Sequence, residues 1–321
     1  MRRFIVLLSL VALILFSACV ESDNKANNGN VNDDKPTIAM TVINQEALFF
    51  TEMLKGAEEA VDKDEFNFIK FDANNKEVDQ YNAIENFISE GVDAIIINAV
   101  DRDTLIPLVE EADEEGIIII SVDSVIEHDT VDVQIGVDNS ESSKDLAEYF
   151  NNYVKDNHPE GSPKLGVVGA LNAAVQVIRQ DSFLDEVEKG SDVELINIVD
   201  SQNVQEKALT AAEDLLLADI DLDYVYVTGE PAFIGSVSAV SSQGFEDDVK
   251  LFGWDLSPQV IEGIDEGFVE AVLQQHPDKY GEEAVKAAIK LINGEEVDDL
   301  IDIPATIVTE ENIDEFRPLF E

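Results

Sequence analysis

Cations are scarce in this chain: 20 Lys plus Arg stand against 69 Asp plus Glu, a formal net charge of −49 at pH 7. A surface this negative repels nucleic acid and anionic lipid, so a nucleic-acid-binding function is excluded. The one cysteine, Cys19, permits no intramolecular disulfide and leaves no second thiol for catalysis or a metal set. His128, His158 and His276 are the only histidines, and none has a zinc-type spacing. Gly166-Val167-Val168-Gly169 lacks the third glycine of a dinucleotide fingerprint, and neither a nucleophile elbow nor a phosphate loop is present. Carboxylates are so numerous that no pair of them marks an acid and a base. An enzyme is therefore not expected, nor a cofactor or a bound metal. The apolar run at residues 4–18 is 15 residues long. A helix needs roughly 20 to cross a bilayer, so a permanent membrane span is not expected either.

What is present begins with that run. Met1, Arg2 and Arg3 precede it, Ser9 and Ser17 are its only polar interruptions, and small residues close it, which is the order of a signal peptide over residues 1–18. Leu15-Phe16-Ser17-Ala18-Cys19 resembles the lipobox of bacterial lipoproteins, with Phe16 where that pattern usually has Leu. The resemblance implies cleavage before Cys19, acylation of its thiol and an extracytoplasmic protein anchored to the cell membrane. Residues 22–36 contain one branched apolar residue, Val31, among Asn, Asp and Gly, too little apolar surface to order themselves. We read residues 19–36 as a flexible tether. Loss of Arg2 and Arg3 with the signal leaves 18 cations against 69 anions, or −51. Because the acids are spread along the body, the surface repels itself unless salt screens it within about 8 Å or less. An acidic, halophilic protein working in a saline medium is the expectation.

From residue 37 on, short β-rich apolar runs alternate with stretches of helical period, which predicts parallel sheets covered on both faces by helices. Strands are predicted at 37–43, 67–71, 94–98, 117–122 and 133–137. Continuous runs such as Ile95-Ile96-Ile97 and Ile117-Ile118-Ile119-Ile120 fit strands buried on both faces. Helices are predicted at 78–90 and 105–115, ended by Gly91 and Gly116. The pattern restarts with strands at 165–168, 193–199, 224–227, 249–252 and 269–273 and helices near 175–189, 204–217 and 233–243. Ser257 and Pro258 start a further helix at 259–266. A last helix at 280–293 and short strands around 301–308 complete earlier sheets. The expected fold is α/β: two doubly wound parallel-sheet lobes joined by a multi-strand hinge, the first of residues 37–137 plus 276–304 and the second of 138–275 plus 305–321.

Polar and aromatic residues collect at the carboxyl ends of the predicted strands, where open α/β sheets bind ligands. There the chain resembles the periplasmic-binding-protein type 1 fold, in its branch of ribose-like sugar ABC transporter solute-binding proteins, over nearly all of the body. Asn44 followed by Phe49-Phe50 matches the Asn and aromatic pair after the first strand, with about two residues inserted. Asp123-Ser124 stands where the family has Asp-Arg, so a five-donor fork is missing. Asp138-Asn139 matches Asp-Asn, Arg179 and Phe183 match an Arg and Phe four apart, and Trp254-Asp255 matches Phe-Asp. Asn203 occupies a place often aromatic, and Gly229-Glu230 replaces Asn-Asp. Gln274-Gln275-His276-Pro277-Asp278 resembles the segment at a hinge crossing.

The resemblance implies a ligand site of Asn44, Phe49, Phe50, Asp123, Asn139, Arg179, Asn203, Glu230, Trp254, Asp255 and Gln275. The residue types suit a sugar, whose C–H faces stack on Phe49 and Trp254 and whose hydroxyls meet fixed donors and acceptors. Arg179 is one of five arginines in the chain. The expected function is capture of a monosaccharide or polyol between the lobes of a monomer and its delivery to the permease and ATPase subunits of an ABC importer. The alternative is a sensing receptor feeding a chemoreceptor or histidine kinase.

Overall fold

The structure, a computed structural model, describes residues 35–320 apart from 46, 159, 219 and 220. The signal segment, Cys19 and its lipidation, and the tether up to residue 34 lie outside the described residues.

A first unit alternates β1 (Thr37–Val42), α1 (Leu48–Ala60), β2 (Asn67–Asp72), α2 (Glu77–Glu90), β3 (Ala94–Ile97), α3 (Arg102–Glu114), β4 (Ile118–Val122) and β5 (Val133–Gly136). Helix α4 (Asn139–Asn157) leads to a second unit of β6 (Lys164–Gly169), α5 (Ala174–Gly190), β7 (Glu194–Asp200), α6 (Gln205–Leu217), β8 (Tyr224–Val227), α7 (Glu230–Gln243), β9 (Lys250–Trp254), α8 (Pro258–Asp265) and β10 (Val269–Gln274). Helix α9 (Pro277–Ile292) and strand β11 (Leu300–Asp302) return to the first unit, and β12 (Thr306–Val308) ends in the second. The sheet orders are β11-β5-β4-β3-β1-β2 and β12-β10-β9-β8-β6-β7. Position by position the second sheet repeats the first, and only β12 runs antiparallel to its neighbour.

Each sheet is covered on both faces. Side chains of β3 are wholly buried from Ala94 to Ile97, and burying one Ile in this way is favourable by about 1.5–3 kcal/mol. Two apolar clusters sandwich the first sheet, around Ile38 and Ile96 and around Ile95 and Ile97. Two more sandwich the second, around Val225 and Leu251 and around Tyr226 and Phe252.

Helix ends follow local chemistry. Gly91, at φ +67°, closes α2 by donating to the Ile88 carbonyl, and the Val92 amide donates to Phe87. Helices α3, α7 and α9 begin three residues before the expected positions. The Asp101 carboxylate caps α3 by accepting from the Thr104 amide at 2.9 Å. Pro231 and Pro277 sit in the first turns of α7 and α9, where their fixed φ starts a helix ahead of its apolar stripe. Helix α4 has no counterpart among the predicted elements. Asp138 caps it, accepting from the Ser140 and Glu141 amides, each at 2.9 Å.

The close approach of α1 and α9 requires two glycines. A Cβ on Gly281 would lie 1.8 Å from the Met53 carbonyl oxygen, and one on Gly56 would lie 1.9 Å from that of Asp278. The chain passes between the two sheets three times, after β5, after β10 and after β11, and hydrogen bonds tie these passages side by side. The Asp138 amide donates to Asp302 at 2.7 Å, the Ile303 amide to Gly136 at 2.8 Å, and His276 Nε2 lies 2.8 Å from Thr306 Oγ1.

Candidate functional site

The carboxyl ends of both sets of parallel strands face the space between the lobes, and two cavities occupy it. The larger, about 700 Å3, is walled by Phe49 and Phe50 from α1, by Asn203 and Glu230 from the second lobe, and by Asp255 after β9. The smaller, about 470 Å3, has Asn139, Arg179 and the loop after β4 in its wall. Asp123 and Gln275 border both, so the two form one cleft across the hinge.

Arg179 organises the floor. It is 6% exposed, and its guanidinium lies 3.7 Å over the Trp254 ring. Its Nε donates to Asn139 Oδ1 at 2.7 Å, and its Nη1 donates to the Thr228 carbonyl at 3.2 Å and lies 3.6 Å from Asp255 Oδ2. Below it Trp254 Nε1 donates to the Tyr226 hydroxyl at 3.0 Å, and Phe183 stacks on the Tyr226 ring at 3.8 Å. Asp255 is held from the other side as well. Gln275 Nε2 donates to its Oδ1 at 2.8 Å, and the buried Tyr280 hydroxyl donates to Gln275 Oε1 at 3.2 Å. Ser257, whose Oγ accepts from the Val260 amide, supplies the cap of α8, which frees Asp255 from that task.

Asp123 is the counterpart of Asp255 in the first lobe, and Asn98 Nδ2 donates to its Oδ2 at 3.1 Å. Burial pushes the Asp123 carboxyl up to about 6, and the nearby Asp255 charge adds to this against the opposing pull of Arg179 and Asn98. Desolvation, with Asp255 again contributing, pushes Glu230 up to about 7. Burial likewise raises the Asp255 carboxyl, with Arg179 and Gln275 opposing. Aromatic surface comes from the half-buried Phe49 and Phe50, whose rings meet edge to face at 5.4 Å. Hard acceptors, one fixed guanidinium and two rings suit a ligand with apolar faces and hydroxyl edges.

The eleven expected residues separate by place. Phe49, Phe50, Asp123, Asn203, Glu230, Asp255 and Gln275 come together on the larger cavity, and Asn139 and Arg179 join Asp123 and Gln275 on the smaller. Asn44 and Trp254 border neither. The Asn44 side chain closes the turn into α1, accepting from the Ala47 amide and donating to Asn75, each at 3.0 Å. Trp254 has no exposed surface and serves as the platform beneath Arg179. Ser124, in place of the resembled arginine, accepts from the Ala99 amide at 2.7 Å and shapes the loop. Gln176, Asn98 and Tyr280 were not anticipated. A signal existed for Gln176: it is the amide in the first turn of the helix after β6, the repeat's equivalent of the place that Phe49 and Phe50 take after β1.

The sequence profile of the periplasmic binding protein domain matches residues 38–296. The chain belongs to this family. Among curated relatives of this periplasmic binding protein, the ribose import binding protein of Bacillus subtilis is 25% identical over 312 residues, 97% of this chain and all of that one. An ABC transporter solute-binding protein of Bacillus halodurans, solved with bound myo-inositol, is 26% identical with a TM-score of 0.76, covering 89% of this chain and 98% of the other. One from Agrobacterium vitis, solved with bound D-fucose, is 27% identical at TM-score 0.73, covering 89% of this chain and all of the other. The two-lobed fold of this binding protein is thus the fold of those solved neighbours.

Proposed function

We propose that this periplasmic binding protein captures a monosaccharide or polyol between its lobes outside the cytoplasm and hands it to the permease and ATPase subunits of an ABC importer. The observation that carries the reading is the cleft itself. Carboxylates from equivalent places in both lobes, the Phe49 and Phe50 rings and the hinge residue Gln275 converge on a cavity of about 700 Å3, within the roughly 300–1,000 Å3 of small-molecule sites. Relatives named for ribose import, and neighbours solved with myo-inositol and D-fucose, support the ligand class.

In this reading Phe49 and Phe50 stack on the ligand's C–H faces, while Asp123, Asn139, Arg179, Asn203, Glu230, Asp255 and Gln275 take its polar edges. Contacts to both lobes select the closed form, and the crossings at 137–138, 275–276 and 303–305 divide the lobes and serve as the hinge. No bond is made or broken. Acylation of Cys19 keeps a monomer at the membrane, and the −49 charge suits a saline medium.

A thermal-shift screen of pentoses, hexoses and polyols at high salt tests the proposal. A ligand at 100 times its dissociation constant adds about 2.7 kcal/mol, a readily measured rise in melting temperature. If no compound in the three classes raises it, the reading fails.

A further inference from the structure

We infer that the natural ligand carries an amine: the larger cavity fits a polyhydroxylated ring bearing an ammonium group, an amino sugar or aminated cyclitol, whose charge is received by Glu230 and Asp123. The inference rests on the sugar or polyol reading above and narrows it.

The wall of that cavity has one sign of charge. Glu52, Asp123, Glu230, Asp255 and Asp278 border it, and among the described residues no lysine or arginine does. Glu52 and Asp255 have cations elsewhere, Lys55 at 3.0 Å and Arg179 at 3.6 Å. Asp123 and Glu230 form no ion pair among the described residues. His276 does not compensate them, because burial lowers its pKa and leaves the imidazole neutral at pH 7. The lysines of the outer surface often pair with an acid three or four residues away, as in Lys189 with Glu186 at 2.9 Å and Lys286 with Glu282 at 2.7 Å. Within the cleft Arg179 serves Asp255 and lies near Asp123, and Glu230 has no ion-pair partner among the described residues. Ser124, which borders the smaller cavity, stands where the resembled family has an arginine.

A second, independent feature points to a ligand at the same place. Gln176 is 8% exposed and borders the cavity, yet its Oε1 has no hydrogen-bond partner, and the same holds for the buried Oδ1 of Asn203. The two amides converge over Gly229, the residue before Glu230. A Cβ there would lie 2.6 Å from Gln176 Nε2 and 3.0 Å from Asn203 Oδ1. Among the described residues seven buried side-chain polar atoms have no protein partner, and these two are the ones whose residues border this cavity. Two orphaned acceptors beside an uncompensated carboxylate match a group with three donors, no acceptor and a positive charge, which is an ammonium. Burial raises the Glu230 and Asp123 carboxyls, and a cation beside them would favour their charged forms.

Isothermal titration of the full chain with matched pairs tests this: D-glucosamine against D-glucose, D-galactosamine against D-galactose, and an inosamine against myo-inositol, each with its N-acetylated form as a neutral compound of similar shape. The expected result is that in at least one pair the free amine binds about tenfold or more tighter than the hydroxyl and N-acetyl forms, since charge-assisted bonds are roughly twice as strong as neutral ones. Glu230→Gln should reduce that preference to about threefold or less, with Asp123→Asn as the second variant. The preference is a ratio measured on one sample, so partial misfolding of a variant cancels. Hydroxyl forms binding as well as amines in every pair would overturn the inference and leave the polyol reading standing. Binding of no member of any pair would overturn both. An amine preference unchanged in both variants would overturn the role given to Glu230 and Asp123.

Discussion

Asp123 and Asp255 occupy the same place in the two lobes, one residue beyond β4 and one beyond β9, and both hold a left-handed backbone, at φ +63° and +66°. Non-glycine residues adopt this region rarely and at a cost of about 1–3 kcal/mol. The same device built twice, once per lobe, turns a carboxylate from each sheet toward the common cleft. Arg179 lies within electrostatic reach of both.

Removing Arg179 strips the charge partner from Asp255 and the cover from Trp254. Arg179→Ala is expected to lower stability by roughly 3 kcal/mol in urea unfolding, the cost of leaving a largely buried acid unpaired. Arg179→Lys keeps the charge and should recover only part of this, because a lysine cannot reproduce the fork to Asn139 and Thr228. If the alanine variant unfolds at the same urea concentration as the parent, the pairing described here is not stabilising.

The relay from Tyr280 through Gln275 to Asp255 makes a smaller prediction. Tyr280→Phe removes one buried donor and leaves Gln275 Oε1 unsatisfied, an expected loss of about 1–2 kcal/mol. Ligand affinity should fall as well, because Gln275, the donor to Asp255, loses the partner that fixes it. Melting and titration of one sample measure both effects.

Two glycine substitutions should separate site from scaffold. Gly229→Ala pushes against the ends of Gln176 and Asn203, which can move, so ligand affinity should fall while the melting temperature changes little. Gly281→Ala pushes against the Met53 backbone, which cannot yield without parting α1 from α9. A loss of about 3 kcal/mol or more is expected there, at the upper end of overpacking costs. Equal melting temperatures for the two variants would contradict this assignment.

Raised carboxyl pKa values give the unliganded protein a defined pH response. Asp123 and Glu230 titrate at about 6 and about 7 when folded, above their ordinary 3.8 and 4.5. Between these limits the folded state holds protons that the unfolded chain has released. The stabilising contribution is complete below about pH 4 and is lost as pH rises through about 6 to 7. At constant salt the parent should melt higher at about pH 5.5 than at about pH 8, and the double variant Asp123→Asn, Glu230→Gln should flatten the difference. An identical slope in the two proteins would rule these groups out.

Salt should act on the whole surface. Raising sodium chloride from about 0.01 M to 1 M shortens the screening length from about 30 Å to 3 Å, so the melting temperature of a chain at −49 should rise by several degrees. An unchanged value across that range would remove the argument for a saline medium.

Much of this was legible in the sequence, for local reasons. Isoleucine runs marked strands buried on both faces, Gly91 and Gly116 marked helix ends, and residues just beyond strands marked the site, because each signal lies within a few positions of its effect. Asp123, Asp255, Glu230 and Gln275 follow predicted strands, and the family resemblance singled them out there. Helix α4 could not: its apolar residues are few and diluted by Asn, Ser and Glu, and burial against the second sheet decides its conformation. Nor could the burial of Trp254, which depends on Arg179 folding over it from a helix 75 positions earlier. The sequence by itself determined the α/β repeat, the carboxylates and the scarcity of cations. Only the tertiary structure decided which carboxylates have a cation within reach and which amides lack a partner, because both depend on distances between residues far apart in the chain.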